Sequence, residues 1–309
     1  MANTNGSIAV IGAGLMGHGI ALVMAKAGHE VCLSDPHQAS RDTAIQRIKS
    51  SLQDMGTSSR DTADAVARVT ICETVKEAVR DSSFVFEAAP EKLPLKQKLF
   101  AEIEQFAPPD CVLASNTSVI QISLIMKELN SRHRALGTHW WNPPHMIPLV
   151  EVIRTEWTDD GVVDQMMSLL ADAEKTPVRV EKDVPGFIGN RLQHALWREA
   201  ISLVENGICD AESVDTVVKA SFGRRLAVLG PLENADLVST DLTLDIHENV
   251  LFDLESRKGP SPYLQKIVED GRLGMKSGSG LRDWTEAEAS AVGARVPAFL
   301  KKLGSILNT

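Results

Sequence analysis

The sequence predicts an α/β protein, in which a doubly wound, mostly parallel sheet is followed by a smaller all-helical domain. Short apolar runs alternate with amphipathic helical stretches, a pattern typical of a parallel sheet with helices on both faces. A glycine-rich turn joins the first run to the first helix, and the strand signals end near the segment 183–186. We therefore place a sheet domain at 1–185 and a helical domain at 186–309.

The elements follow from apolar periodicity and from start and stop signals. Beyond the break, apolar residues keep helical spacing up to Gly207, and Asp210 is placed to cap a second helix that runs to Gly223. The segments 256–262 and 271–280 have loop composition. Predicted strands cover 7–12, 29–34, 69–72, 83–88, 111–115, 135–141, 148–153 and 177–180, and predicted helices of the sheet domain cover 15–27, 38–55, 95–106 and 161–174.

Composition limits the classes of partner. A net charge of −9 over 309 residues argues against binding to nucleic acid or anionic lipid, and no apolar run is long enough to span a bilayer. The polar segment 1–6 lacks an apolar signal core, which favours a cytoplasmic location. The four cysteines show no metal-ligand spacing, so we expect reduced thiols and no structural metal. A small-molecule partner is the remaining expectation.

The turn after the first strand has the pattern of a dinucleotide site. Gly12 permits a tight turn, Gly14 lets backbone N–H groups approach a pyrophosphate, and Gly17 allows close packing of the helix. Asp35 ends the second strand, where a carboxylate binds an adenosine ribose and repels the extra phosphate of NADP. A Rossmann-type domain that binds NAD is therefore predicted. The residues assigned to the cofactor by this turn are Gly12, Gly14, Leu15, Met16, Gly17 and Asp35.

A histidine and a glutamate are predicted to meet on a strand hairpin. The connection 142–147 is too short for a parallel crossover, so strands 135–141 and 148–153 should be antiparallel. Folding the chain about this turn brings His139 opposite Glu151 to within one residue, and their even separation puts both side chains on one face. Glu151 would then fix the imidazole tautomer, and the free ring nitrogen could take a proton from a substrate hydroxyl. The alternative is a structural histidine bonded to a strand carboxylate.

Five segments in this order resemble the L-3-hydroxyacyl-CoA dehydrogenase family. They are 12–20, 115–118, His139 with Asn142-Pro143, 149–152 and 183–191. The resemblance spans nearly the whole chain and implies an NAD-dependent oxidoreductase acting on a secondary hydroxyl. It also implies that His139 is the general acid/base and that Glu151 orients it.

The same resemblance implies further site residues. Ser118 and Asn190 would bind the reacting oxygen or its carbonyl neighbour, Asn142 would belong to the substrate site, and Asn116 would help to place nicotinamide and substrate. Taken alone, Ser118 could be a helix cap and Asn190 a polar residue early in a helix.

The segment after the fourth strand is similar to the part of the family that lines the cofactor. Glu91 and Lys96 are the residues that this resemblance assigns there. The alternative is that both belong to a solvated helix start and carry surface charges.

Two departures from the family pattern bear on the substrate. Trp140-Trp141 replaces two phenylalanines, which suggests a smaller pocket, and Arg224 and Arg225 could pair with a free carboxylate. In this region the chain resembles the L-gulonate 3-dehydrogenase/lambda-crystallin, carnitine dehydrogenase and vitamin B6-degradation relatives. A compact free acid is the expected substrate, with a hydroxyacyl-CoA as the alternative. The arginines could also be solvated residues at a helix end.

Two other functions compete with this one. A 6-phosphogluconate-type enzyme would need a Lys-x-x-x-Asn pair after the domain break, and none is present. A noncatalytic NAD-binding or structural protein is possible on this scaffold, although His139 and Glu151 argue against it. The helical domain, with its apolar faces, suggests a homodimer, as in the family that it resembles.

Overall fold

The structure, a computed structural model, describes residues 6–307 and divides into two compact units. Of the described residues, the first unit contains 6–191 and 297–307, and the second contains Leu192–Val296. A long helix begins at Gly189 and continues past Arg191, so the first unit includes the start of that helix. The predicted domain boundary after residue 185 stays a prediction.

One eight-stranded sheet organises the first unit, and all eight predicted strands are present. The strand order is β3-β2-β1-β4-β5-β6-β7-β8. Strands β1 to β6 are parallel, β7 is antiparallel to β6, and β8 is parallel to β7. The strands are β1 Ser7–Ile11, β2 Val31–Ser34, β3 Val69–Cys72, β4 Ser82–Glu87, β5 Val112–Ser115, β6 Ala135–Trp140, β7 Leu149–Ile153 and β8 Thr176–Val180.

Helices cover both faces of this sheet and supply the regular structure of the second unit, where strand pairing among the described residues is limited to isolated bridges at 274–283. None of the described helices combines the length and the apolarity needed to cross a bilayer. The helices are α1 Leu15–Lys26, α2 Gln38–Met55, α3 Ser59–Ala67, α4 Val75–Val79, α5 Leu93–Phe106, α6 Ile122–Ile125, α7 Asp160–Asp172, α8 Gly189–Glu205, α9 Ala211–Ala220, α10 Pro231–Val238, α11 Thr240–Val250, α12 Pro262–Glu269 and α13 Glu286–Leu307.

Alternation along the strands separates two apolar cores. Ile8 and Val10 of β1 pack with α1, α2 and α7 on one face, whereas Ala9 and Ile11 pack with α4 and α5 on the other. The same alternation corrects one prediction. Trp140 follows His139 by one residue, so its ring lies in the core on the α1 side, 2% exposed and 5.8 Å from Phe86. The expectation that Trp140 narrows a substrate pocket is wrong.

The strand order reverses between β1 and β4, and this switch point fixes where a ligand can enter. Connections leave in opposite directions from the carboxyl ends of these two strands, which leaves a crevice there. Gly12 follows β1 and Ala88 follows β4, and their backbones come together at this edge.

Candidate active site

Two glycines, Gly12 in the turn after β1 and Gly17 in the first turn of α1, occupy positions that no other residue fits. Gly12 has a φ of +106°, and a Cβ atom there would lie 2.7 Å from the carbonyl oxygen of Ala88. A Cβ atom at Gly17 would lie 1.7 Å from the carbonyl oxygen of Gly12. Positive φ and backbone contact of this kind require glycine, so α1 starts directly against the end of β1.

The start of α1 is open in front of Gly14. This residue is the N-cap of the helix, no side chain caps the first turn, and a Cβ atom at Gly14 would have no neighbour within 4 Å. Leu15 beside it is 63% exposed. Uncapped N–H groups at the positive end of a helix favour an anion, and the open space leaves room for a pyrophosphate.

Asp35 lies at the carboxyl end of the neighbouring strand β2, where it is buried. Its Oδ2 accepts a hydrogen bond of 2.8 Å from the N–H of Ala13, and its Oδ1 accepts one of 2.8 Å from the N–H of His37. These bonds fix the carboxylate beside the glycine turn while each oxygen retains a lone pair for a ribose hydroxyl. The turn, the helix start and Asp35 therefore fit a dinucleotide.

His139 and Glu151 form the predicted pair. They are direct register partners on the antiparallel strands β6 and β7, and Nδ1 of His139 lies 2.7 Å from Oε2 of Glu151. The two side chains are 4% and 1% exposed. The turn between the strands is held by Lys175, whose ammonium group donates to the carbonyl oxygens of Pro144 and Ile147.

The second oxygen of Glu151 is bound by backbone. Its Oε1 accepts hydrogen bonds from the N–H groups of Ile188, at 2.8 Å, and Gly189, at 3.0 Å, where α8 begins. Burial alone would raise the pKa of Glu151, but the hydrogen bonds from His139, Gly189 and Ile188 outweigh it, and the pKa lies below its usual range. Glu151 is therefore a carboxylate that accepts at both oxygens, so the Nδ1 atom of His139 is the donor of their hydrogen bond.

Two aromatic rings pack beside His139. The ring centroid of Trp141 lies 5.2 Å from that of His139, and the centroid of Phe187 lies 5.6 Å away. Phe187 has a φ of +50° and follows Gly186 at +74°. A left-handed backbone at a bulky residue costs about 1–3 kcal/mol, and such residues concentrate at functional sites. Here the turn brings the phenyl ring of Phe187 against the imidazole.

Two of the predicted substrate residues, Ser118 and Asn190, are joined by a hydrogen bond. Asn190 is buried in the first turn of α8, and its Nδ2 donates a hydrogen bond of 2.9 Å to the carbonyl oxygen of Ser118. Ser118 does not cap α6: the N-cap of that helix is Gln121, and the Oγ1 of Thr117 accepts from the N–H of Ile120. The helix-cap interpretation of Ser118 is thus wrong, and its exposed side chain is open to a ligand.

Asn116 and Glu91 organise the loop after β5. The Oδ1 of Asn116 accepts a hydrogen bond of 3.0 Å from the N–H of Trp140. Glu91 accepts from the Thr117 hydroxyl and from the N–H groups of Ser118 and Val119. Burial would raise the pKa of Glu91, but these bonds and Lys96 hold it below its usual range.

Lys96 does not belong to a solvated surface. Its side chain is completely buried, and its Nζ lies 2.8 Å and 3.0 Å from the two carboxylate oxygens of Glu87. The alternative of surface charges is therefore wrong for Lys96, while its contact with the cofactor stays a prediction. Glu87 was not among the residues predicted from the sequence. Its signal is an acid that ends the apolar run of β4, as Asp35 follows β2.

The remaining predicted residues are exposed. Asn142 starts the turn between β6 and β7. Arg224 ends a 3-10 turn of the second unit, Arg225 follows it, and neither guanidinium has an ion-pair or hydrogen-bond partner within the described part of the chain. Their assignment to the substrate stays a prediction.

Sequence models of one family match the two parts of the chain in order. Residues 7–184 match the NAD-binding domain of 3-hydroxyacyl-CoA dehydrogenase, and residues 186–284 match its C-terminal domain. Helix α13 lies beyond the second match.

Individual relatives extend these matches. The 5-formyl-3-hydroxy-2-methylpyridine 4-carboxylate 5-dehydrogenase of Mesorhizobium japonicum is 34% identical over 297 residues, covering 93% of this chain and 94% of that protein. A solved structure of a dehydrogenase for the same pyridine acid, described as an NAD⁺-dependent dismutase, has a TM-score of 0.90 at 32% identity, and 98% of each chain is covered. The (S)-3-hydroxybutyryl-CoA dehydrogenase of Ralstonia eutropha has a TM-score of 0.76 at 29% identity, covering 90% of this chain and 99% of that one.

Proposed function

The chain belongs to the 3-hydroxyacyl-CoA dehydrogenase family and is an NAD-dependent dehydrogenase acting on a CH–OH group, and we propose that His139 and Glu151 are its acid/base pair. We further propose that the substrate is a compact hydroxy acid with a free carboxylate. The observation that carries the first proposal is the buried contact of 2.7 Å between the two side chains, with Glu151 held from behind by the start of α8.

His139 moves the proton. Because Nδ1–H is directed to the Glu151 carboxylate, the Nε2 atom carries the lone pair and takes the proton from the substrate hydroxyl. Glu151 then stabilises the positive imidazolium without becoming protonated itself. When bound, NAD supplies the acceptor for the hydride that leaves the hydroxyl-bearing carbon. In the reverse direction His139 returns the proton to the carbonyl oxygen.

The other residues place the reactants. The turn of Gly12, Gly14 and Gly17 and the Asp35 carboxylate would hold the dinucleotide at the carboxyl ends of β1 and β2. The Nδ2 atom of Asn190 donates to the backbone carbonyl oxygen of Ser118. The Ser118 hydroxyl and the Asn190 amide would bind the reacting oxygen or the carbonyl group next to it. Asn142, at the start of the turn after β6, would contact the substrate.

The relatives and the charge of two arginines support a substrate with a free carboxylate. The pyridine-carboxylate enzyme shares nearly the full length and has the higher TM-score of the two structures compared, 0.90 against 0.76 for the acyl-CoA enzyme. The substrate in the name of that enzyme is a small ring acid rather than a thioester. Arg224 and Arg225, which have no partner among the described residues, offer the planar donors that pair with a carboxylate.

The experiment is a panel of substrates followed by NADH absorbance. It contains small hydroxy acids, aromatic acids that bear a hydroxymethyl or formyl group, and 3-hydroxyacyl-CoA thioesters of short and medium chain. We expect a higher kcat/KM for a free acid than for every thioester. Preference for a medium-chain thioester would instead assign the chain to fatty-acid oxidation. Binding of NADH without turnover of any compound would favour a noncatalytic role.

Single substitutions test the carboxylate partner. Arg224→Met or Arg225→Met should raise KM for the free acid by about 10- to 150-fold, the scale of 1.5–3 kcal/mol for a hydrogen bond to a charged group. The thioesters should be unaffected. If neither substitution changes KM for the acid, the arginines lie outside the site and the carboxylate has another partner.

We also propose that the protein is a homodimer. Several large apolar side chains of the second unit are strongly exposed, a property that marks interaction surfaces. The most exposed are Leu232 at 80%, Leu237 at 72% and Phe252 at 82%. Light scattering after gel filtration should give twice the chain mass of 33.6 kDa, and a monomer would exclude this proposal.

A further inference from the structure

Gly189 and Trp141 compete for the same volume beside the acid/base pair. A Cβ atom built on Gly189 would lie 2.4 Å from Cζ2 of Trp141, and 3.3 Å from both Cε2 and Cη2. Real Cβ atoms do not approach other heavy atoms to 2.4 Å, so any side chain at 189 must displace the indole or the start of α8. The indole is accommodated only because residue 189 has no side chain.

Each partner of this contact touches one member of the acid/base pair. The indole of Trp141 packs at a centroid distance of 5.2 Å from the imidazole of His139. The N–H of Gly189 donates a hydrogen bond of 3.0 Å to Glu151. Trp141, Gly189, Glu151 and His139 therefore form a closed ring of contacts, in which a shift at 189 is passed both to the carboxylate and to the imidazole.

We propose that the Gly189–Trp141 contact is the positioning device of the acid/base pair. The absence of a side chain at 189 lets the indole lie against His139 while the backbone N–H stays on Glu151. Gly189 and Trp141 act through His139 and are positioning residues rather than catalytic ones. This inference rests on the proposed function, because it assumes that His139 moves the proton.

The proposal requires that the effect of Gly189→Ala on kcat depend on which residue occupies position 141. In the protein with Trp141, Gly189→Ala should lower kcat by about 10²-fold, the scale of a misplacement of about 1 Å in an active site. The dissociation constant for NADH should stay within about twofold, because the dinucleotide residues lie on other elements.

The Trp141→Phe variant is the second protein in which the effect of Gly189→Ala on kcat is measured. The Nε1 atom of Trp141 is buried and has no hydrogen-bond partner among the described residues, so Trp141→Phe removes ring volume without removing a hydrogen bond. The smaller ring leaves a gap that a methyl group at position 189 can fill. Trp141→Phe/Gly189→Ala should therefore have a kcat equal to or higher than that of Trp141→Phe alone.

Two control variants show whether a glycine-to-alanine change near a helix start, or a tryptophan-to-phenylalanine change, lowers kcat at positions away from the acid/base pair. Gly161→Ala makes the same change in the first turn of α7, where a Cβ atom would have no neighbour within 4 Å, and should leave kcat unchanged. Trp157→Phe makes the same ring change at a residue that stacks on Arg132 instead, and should also be neutral. The melting temperature of each variant reports whether it folds.

The outcomes are distinguishable. A normal kcat in Gly189→Ala, or an equal loss from alanine at 189 in both backgrounds, would overturn the inference. Should Gly189→Ala fail to fold, the two variants with phenylalanine at position 141 still decide: a kcat lower in the double variant than in Trp141→Phe contradicts the proposal. Failure of the proposed function is recognised separately, by normal turnover in His139→Gln.

Discussion

The Nζ atom of Lys96 lies 2.8 Å and 3.0 Å from the two carboxylate oxygens of Glu87, and neither side chain has any exposed surface. Each carboxylate oxygen of Glu87 also accepts a hydrogen bond from a second donor. Glu87 also accepts from the N–H of Ala89 at 2.7 Å and from the hydroxyl of Ser115 at 2.6 Å. A buried ion pair is tolerated when its remaining hydrogen-bonding positions are satisfied in this way, and the pair ties α5 to the ends of β4 and β5.

Removing one charge of this pair should be costly. Lys96→Met leaves Glu87 buried without its cation, and we expect the free energy of unfolding to fall by about 3–5 kcal/mol. Urea denaturation measures the change. Adding Glu87→Gln to Lys96→Met should recover more than half of the loss, and Lys98→Met, on the exposed side of α5, should change stability by less than about 0.5 kcal/mol. A small loss in Lys96→Met would show that water reaches Glu87.

Asp35 should select NAD over NADP. Its carboxylate is fixed at the end of β2 by Ala13 and His37, where it would repel a 2′-phosphate. Fluorescence titration should show binding of NADH at least about tenfold tighter than that of NADPH, and Asp35→Ala should narrow the gap. Asp42→Ala, an exposed acid on α2, serves as the control and should leave the ratio unchanged. Equal affinities in the unmodified protein would contradict the assignment.

The acid/base pair should control kcat. His139→Gln removes the proton acceptor, and we expect kcat to fall by about 10²–10⁴-fold with little change in NADH affinity. Glu151→Gln should also slow turnover, because a neutral amide cannot stabilise an imidazolium. His247→Gln, at an exposed position on α11, should have no effect. Near-normal turnover in His139→Gln would mean that the pair is structural.

His145 should make stability depend on pH. Burial, together with the charges of His18 and Lys175, lowers the pKa of His145 to about 4, and its Nδ1 has no partner among the described residues. Between pH 6.5 and about 4 the unfolded chain binds the proton and the folded chain does not, so the free energy of unfolding falls as pH falls through this window.

His145→Gln should remove about 1–3 kcal/mol of that decline, a range that allows for the partial exposure of the ring. Denaturant unfolding at about pH 7 and at about pH 4.5 measures the difference. The exposed residue His133, replaced by Gln, is the matched control and should leave the slope as it is. An unchanged slope in His145→Gln would show that its protonation is the same in both states.

The strands and the acid/base hairpin could be predicted because they depend on patterns along the chain. All eight strands follow apolar runs, and the shortness of the turn 142–147 predicts an antiparallel pair with His139 opposite Glu151 to within one residue. The structure makes them direct register partners. Helices α3 and α4 were not predicted, since both are short and their N-cap residues, Ser58 and Thr74, are also common in loops.

Contacts between distant segments could not be predicted. The backbone donors of residues 188 and 189 reach Glu151 only after α8 has folded back on the sheet, and no spacing in the sequence encodes that distance. Trp140 shows a different failure. The alternation that places Trp141 beside His139 also sends Trp140 to the opposite face, so treating the two indoles together ignored the period of the strand.

Because His139 pairs directly with Glu151 across one hairpin, the number of residues in the turn between them can change only by an even number if the two side chains are to stay on one face. Side chains of a strand alternate between faces, so inserting or deleting a single residue in 142–147 would turn the carboxylate toward the α1 core and a neighbouring valine toward the imidazole. A change of two residues would restore the facing. The turn can therefore vary in composition, and in length by two residues at a time, without separating the pair. A change of one residue would remove Glu151 from His139 although the sequence of β7 itself is unchanged.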